Sequence, residues 1–283
     1  MAFVLFDGFA YGMLLFMLSV GLSVTLGMMN FVNLAHCAFA MLGGYTAVML
    51  VNHYGWPFLA TLPAAFLAAG AASVVFERIL YRPLYRAGEL DQVLLTIGLA
   101  FMSVGVATFF FTSEQQPIQT PSYLRGSFSV MGVTLSAYRL FLIATGLAVA
   151  VLLALTIEYT RFGSRVRAAV DNQRMARGLG INVDGVFAIT FALGSGLAGL
   201  GGALAVDRVG LDPHFAFAYL VYVLIVVSVG GLGSIGGSFA AAVLLGITDS
   251  AGKYYVPQIG SFLIYLVMVV MLMWRPAGLF GRR

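Results

Sequence analysis

The polar residues best placed to do chemistry lie in tracts that are otherwise apolar. Asn30, Asn33 and His36 recur at i, i+3 and i+6, a spacing that covers about 120° of one face on a helix. Polar side chains are expensive in lipid and face either the protein interior or a passage through it. The trio therefore has two readings, an interhelical hydrogen-bond cluster or part of the lining of a substrate route. It is a poor metal site, because one imidazole stands beside neutral amides and no H-x-x-x-H or H-E-x-x-H spacing accompanies it. Ser228 and the run Gly230-Gly231-Leu232-Gly233-Ser234-Ile235-Gly236-Gly237 form the second candidate. Irregular backbone at membrane depth is tolerated only where protein or a water-filled cavity satisfies it, so Gly231 and Gly233 are expected to belong to a flexible element beside a substrate pathway.

Catalytic constellations do not emerge. An intramembrane hydrolase needs paired Asp residues, a Ser with a Lys or His, or a zinc motif inside the spans. Glu77, Glu114, Glu158, Asp207, Asp212 and Asp249 all sit at the edges of apolar tracts and read as interfacial residues. The same placement counts against an ion-coupled secondary transporter, which typically buries a carboxylate. Two G-x-G-x-x-G matches, Gly194–Gly199 and Gly231–Gly236, lack the strand-turn-helix context that dinucleotide binding requires. Gly252-Lys253 is followed by Tyr254 and has no Walker A glycine before it, so any ATP-driven role requires a partner ATPase. Cys37 is the only cysteine, which excludes a disulfide framework and a cysteine-rich metal site. No cofactor is expected.

These residues are carried by long apolar segments. Of 283 residues, 61% are hydrophobic and only 9% are charged, against a usual figure of about 25%. Asp, Glu, Lys and Arg are missing from residues 8–76, 92–113, 140–157, 185–206, 213–248 and 254–274. A span needs roughly 20 apolar residues, since about 30 Å of hydrocarbon is crossed at 1.5 Å per residue. Spans are therefore expected at about 92–112, 139–158, 186–206, 216–229, 236–250 and 258–274, with three more in the first tract. If 31–51 crosses fully there are nine and the amino terminus lies outside; if it is re-entrant there are eight and the terminus lies inside. The region 216–250 carries a similar choice. The amino terminus has no basic region or clear cleavage site, so the first span is expected to stay in the mature chain. The fold expected is an all-α polytopic membrane protein of eight or nine transmembrane or re-entrant helices, with 1–283 as a single domain.

Basic residues near span ends are retained in the cytoplasm. Arg78, Arg82 and Arg86, then Arg161, Arg165, Arg167, Arg174 and Arg177, then Arg275, Arg282 and Arg283 fall on one side. Arg125, Arg139, Arg208 and Lys253 fall on the other. The net charge of +4 thus reads as an orientation signal, with no nucleic-acid partner implied. The loop at about 159–185 is the most specific polar segment. Within it, 167–178 has good helix formers, an early Asp171, late arginines, and Gly178 or Gly180 as a stop. A short amphipathic helix is expected there, either a solvated topology signal or a docking element for a soluble partner.

Several blocks occur in an order that resembles the LivH-type permeases of branched-chain amino acid ATP-binding cassette importers. They are Gly21-Leu22-Ser23-Val24-Thr25-Leu26-Gly27; Asn33-Leu34-Ala35-His36 leading to Met41-Leu42-Gly43-Gly44-Tyr45; Arg167 through Gly180-Ile181-Asn182 to Phe191-Ala192-Leu193; Gly230–Gly237; and Arg275-Pro276-Ala277-Gly278-Leu279-Phe280. Cys37 departs from the glycine expected after the histidine. The resemblance implies a half-transporter in the plasma (inner) membrane that pairs with a second, LivM-like permease. Two cytoplasmic ATPases and an extracytoplasmic solute-binding protein would complete it. Asp171, Asn172, Arg174, Met175, Ala176, Arg177, Gly178 and Gly180 would form the ATPase-coupling segment, and Asn30, Asn33, His36, Ser228, Gly231 and Gly233 the pathway candidates. Relatives that handle other amino acids, urea, amides or small carboxylates share the pattern. An intramembrane enzyme and a self-sufficient secondary transporter are the rival classes.

Overall fold

The computed structural model describes residues 1–29, 31, 33–84, 87–118, 120–130 and 133–281. In hydrocarbon a backbone must satisfy its own hydrogen bonds, and a helix does so within one segment. The apolar tracts accordingly fold as helices: α1 (Ala2–Met29), α2 (His36–Asn52) and α3 (Phe58–Phe76), the last running through a π-helical turn (Glu77–Tyr81) into the one-turn α4 (Arg82–Leu84). After α5 (Glu89–Phe111) the polar connection holds a short α6 (Ser122–Arg125) and an antiparallel hairpin, β1 (Ser127–Val130) and β2 (Val133–Ser136), with Ser127 opposite Ser136. Then follow α7 (Ala137–Tyr159), α8 (Arg161–Asp171), α9 (Gln173–Gly178), α10 (Val183–Val209), α11 (Phe215–Gly230), α12 (Ile235–Tyr255) and α13 (Gly260–Trp274).

Six segments are long and apolar enough to cross a membrane: Ala2–Gly27, Phe58–Leu84, α5, α7, α10 and α12. The shorter apolar helices are α2, α11 and α13. This is the all-α, multi-pass architecture expected, and the six spans placed by sequence each coincide with a helix. The hairpin is an addition, built in a polar connection where alternation was too short to register.

Charge pairs and close packing sort the helix ends into two groups. At one end Asp7 of α1 pairs with Arg139 of α7 and Arg208 of α10, each at 3.0 Å. Asn52, which ends α2, donates to the Pro117 carbonyl at 2.9 Å, and the neighbouring Gln116 N–H donates to Leu211 O at 2.7 Å. At the other end Arg82 reaches Asp184 at 2.9 Å, and the carboxyl end of α1 packs at Gly27 against Gly233 in the α11–α12 turn. Side-chain N-caps occur on α8, α9, α10 and α12, from Thr160, Asn172, Asn182 and Ser234. All four open at the arginine-rich end, where orphan helix amides meet water or polar loops.

The most buried helices, α1 and α10, form the axis of the bundle. Glycines let backbones touch there. A β-carbon on Gly8 or Gly12 would run into the α12 backbone at Ile247 or Ala242–Val243, and one on Gly246 would meet Gly12. The Gly8-x3-Gly12 spacing is thus a packing face of the kind that operates where lipid supplies no hydrophobic force. Gly233, by contrast, approaches Gly27 from the turn before α12, with φ +77°.

The tract between α1 and α2 departs from a simple helix. Residues 31 and 33 are non-helical, and α2 begins only at His36. Its imidazole Nε2 donates to the Leu18 carbonyl at 2.9 Å, halfway along α1. Phe31 stacks edge-on to Tyr81 at 5.3 Å, and Tyr81 to Phe191 at 5.1 Å. Tyr81 closes the π-helical turn after α3 and donates to Asn33 Oδ1 at 3.4 Å. Irregular backbone is tolerated here because protein buries it.

Candidate functional site

The loop at 159–185 folds as two helices with a break at Asn172. A continuous helix over 167–178 was expected; Asn172 adopts an extended backbone (φ −154°, ψ 99°) and caps α9 by accepting from Met175 N–H at 3.0 Å. Asn competes for local backbone donors and so favours caps over helix interiors. Buried Gly163, Val166 and Ala169 recur every three residues on α8, which makes it amphipathic. A β-carbon on Gly163 would overlap the Ile157 carbonyl, and Arg167 also donates to that carbonyl, so the α7–α8 corner is tightly closed.

The second helix stops as glycine chemistry dictates. Ile181 N–H donates to Ala176 O and Gly180 N–H to Arg177 O, both at 3.0 Å, with Gly180 at φ +80°. This is a Schellman closure, with Gly180 supplying the left-handed residue. Ala176 is 2% exposed and packs with Val166, Ala169, Val183 and Phe187. Its expected place on the docking surface is therefore corrected: it faces inward and fastens α9 to the start of α10. Asp171, Asn172, Arg174, Met175, Arg177, Gly178 and Gly180 are exposed. Leu179, which spacing did not single out, is 79% exposed and Met175 is 65% exposed. Tyr159, at 79%, and Val170, at 41%, are also exposed on this loop.

Asp184, in the first turn of α10, accepts from Arg177 at 2.8 Å and from Arg82 at 2.9 Å. It thus ties α9 to the α3–α4 end. All three side chains are about half exposed, and such pairs contribute only about 0–1 kcal/mol. Asp184→Asn is accordingly expected to lower unfolding stability by less than about 1 kcal/mol, measured by thermal unfolding at low salt, with the difference vanishing at high salt.

The pathway candidates separate. Asn30 lies outside the described residues. Asn33 and His36 are each 1% exposed and do not share a helical face, since Asn33 precedes α2 and its Oδ1 accepts from Ala35 N–H at 3.1 Å. Within this chain both hold the α1–α2 break together. Ser228 is half-buried on α11. In the glycine run, Gly230, Gly231, Gly233 and Gly237 approach other backbone closely, whereas Gly236 has open space around it. Gly231 has φ +97°, and a β-carbon there would meet Gly281 and Ala277 of the terminal segment. Leu279 and Phe280 donate to Val229 O at 2.8 Å and Gly230 O at 3.1 Å, closing the end of α11.

A site that the spacing concealed lies at the Asp7 end. A cavity of about 760 Å³ is lined by Asp7, Tyr11, Arg139, Arg208, Tyr219, Tyr222, Asp249 and Lys253, among others. They come from α1, α7, α10, α11 and α12. Asp207 and Asp249 read in sequence only as interfacial acids at tract edges, and no spacing brings them to Asp7. Among the described residues no group of three or more His, Cys, Asp or Glu side chains could hold a metal ion.

Comparison with known proteins gives the family. The family model described as "Branched-chain amino acid transport system / permease component" matches residues 4–272. The high-affinity branched-chain amino acid transport system permease protein BraD of Pseudomonas aeruginosa is 26% identical, over 98% of this chain and 95% of its own. The corresponding LivH of Escherichia coli is 27% identical, over 98% and 94%. LivM of the same organism is 26% identical, over 94% of this chain and 68% of its own length. No solved structure matches.

Proposed function

Because the chain belongs to the permease components of branched-chain amino acid transport systems, we propose that it forms half of the translocation pathway of an ATP-binding cassette importer for these amino acids in the plasma (inner) membrane. A second, LivM-like permease supplies the other half, two cytoplasmic ATPases drive it, and an extracytoplasmic solute-binding protein delivers substrate. The single domain 1–283 crosses nine times, with the amino terminus outside and the carboxyl terminus in the cytoplasm. Asn52 and Asp7 sharing one end of the bundle supports full crossing by the 31–52 segment, and the arginine-rich loops support the orientation.

The observation that carries this reading is the exposed Met175–Gly180 corner on a loop fastened to the membrane helices. ATP-driven closure of the ATPases pushes this corner. Ala176 and the Arg177–Asp184 pair pass the displacement to α10, which packs against α1, α2 and α3. A two-state change of access follows when the ATPases bind one arrangement more tightly than the other. Asn33, His36, Ser228, Gly231 and Gly233 then act by setting how α1, α2 and α11 move, with Asn30 in the same segment.

Reconstitution in proteoliposomes tests the proposal. The chain alone is expected to give no gradient-driven uptake, whereas the complete complex takes up L-leucine only with internal ATP and external binding protein. Uptake by the chain alone under an ion gradient would overturn the importer reading in favour of a secondary transporter.

A further inference from the structure

The connection that leaves α5 crosses the Asp7 end of the bundle under three clips. Gln115 Nε2 donates to Val209 O at 3.1 Å, Gln116 N–H to Leu211 O at 2.7 Å, and Asn52 Nδ2 to Pro117 O at 2.9 Å. The first two reach the segment between α10 and α11, and the third reaches the end of α2. Ile118 then buries its side chain in the core. Residues 112–118 thus form a strap on a helix that is otherwise loosely held. Of the 23 residues of α5 only Gln92, Thr96, Ala100 and Ala107 are buried, and a β-carbon on Gly98 or Gly105 would have nothing within 4 Å. Gln92 secures the opposite end by donating to the Leu84 and Ala87 carbonyls at 3.2 and 3.4 Å.

The strap is also strained. Thr112, its first residue, has φ +63° and ψ −179°, the one positive φ outside glycine among the described residues. That region is essentially confined to glycine, and a β-branched side chain there is a genuine outlier. Such a conformation persists only where its surroundings over-determine it. Gln116 does so here: its side-chain Nε2 donates to Phe111 O at 2.8 Å while its main-chain N–H is held by Leu211. Releasing the clips lets Thr112 return to an ordinary negative φ. The strain therefore weakens the closed strap relative to an open one.

We propose that 112–118 is a spring-loaded strap, closed in this conformation, which unclips from Asn52 and Leu211 so that α5 pivots about its Gln92 end during transport. It rests on the importer reading and deepens it. The strap needs no contact with substrate. Its two arrangements are brought close in free energy by Thr112, so a small displacement of α10 or α11 decides between them.

Tethering tests this. Asn52 and Pro117 are exposed, and Cys37, the only cysteine of the chain, is fully buried. Asn52→Cys with Pro117→Cys in the complete reconstituted complex therefore gives this chain one accessible thiol pair, placed across a clip. Bridging the pair with a short bifunctional methanethiosulfonate, followed by mass, is expected to cut ATP-dependent L-leucine uptake at least tenfold. A reducing agent restores uptake, and the single-cysteine complexes are unaffected by the reagent. Full uptake by the bridged complex overturns the strap, as does failure of the two thiols to bridge. Loss of binding-protein docking on bridging overturns it too, and makes the segment a docking surface. If the cysteine pair does not assemble, Thr112 carries the measurement. Thr112→Gly relieves the closed form and is expected to raise the melting temperature yet slow uptake at least twofold, whereas Thr112→Ala keeps a β-carbon and transports like the wild type. A glycine variant that melts higher without slower uptake shows a purely structural strain and overturns the proposal. Each of these results leaves the importer reading standing; absence of ATP-dependent leucine uptake by the unaltered complex overturns both.

Discussion

Gly202→Leu is expected to leave almost no folded protein, whereas Gly105→Leu leaves yield and thermal stability near those of the wild type. The reason is what a side chain would meet. A β-carbon on Gly202 falls on the Ala40 carbonyl of α2, with the Ala40 Cα behind it. These are backbone atoms of a buried helix and cannot swing aside as a flexible side chain would. Nor can α10 retreat. On its other faces a β-carbon on Gly199 would press on Ala65 and Ala69 of α3, and one on Gly201 would meet Met17 and Leu18 of α1. Overpacking typically costs about 1–3 kcal/mol and occasionally more; with backbone on every side, the loss should exceed about 3 kcal/mol, a large share of a protein's usual 5–15. In lipid this packing is the main force between helices, so little else offsets the loss. Gly105 on α5 has nothing within 4 Å of such a carbon and serves as the control. Size-exclusion profiles and thermal unfolding in nanodiscs read the result. A Gly202→Leu protein that elutes and melts like the wild type would show that α2 and α10 do not cross this closely.

The sequence disclosed the features that depend on one residue's neighbours along the chain. Runs without charge became helices because a lipid-buried backbone has few other solutions, and the arginines sorted the loops by side because that rule acts on local charge. The basic loop was recognisable as amphipathic, but its break at Asn172 was not, since that residue's choice between helix interior and cap depends on a single local hydrogen bond. Features made by distant residues stayed hidden. The break before His36 is stable because Phe31, Tyr81 and Phe191 meet around it, and no spacing brings positions from three segments together. The same holds for the Asp7 cavity, where Asp7 and Arg208 are distant in sequence and 3.0 Å apart in space. Ala176 shows the converse error: it lies within the segment expected to dock, yet its side chain is buried.

That inward turn of Ala176 separates two substitutions that the sequence would treat as equivalent. Gly178→Arg is expected to reduce leucine-dependent ATP hydrolysis by the complex at least tenfold while leaving the melting temperature unchanged. Ala176→Arg is expected to lower the melting temperature itself. Gly178 has open space around it, and an arginine at the end of α9 suits the negative pole of the helix, so the fold tolerates the change. The added bulk stands between the exposed Met175 and Leu179, where the ATPase groove would close. Arginine at Ala176 instead drives a charge into the cluster formed with Val166, Ala169, Val183 and Phe187, and a buried charge without a partner is strongly destabilising. Leu179→Ala sharpens the comparison, because it adds no bulk. Truncating one apolar anchor costs an interface on the order of 1–2 kcal/mol, or about tenfold in affinity, read as loss of ATPase from the purified complex. If Gly178→Arg and Leu179→Ala complexes hydrolyse ATP and retain their ATPases like the wild type, this corner is not the docking surface. The arginines of α8 would then be the next place to look, since Arg161 and Arg165 are exposed on the same side of the membrane.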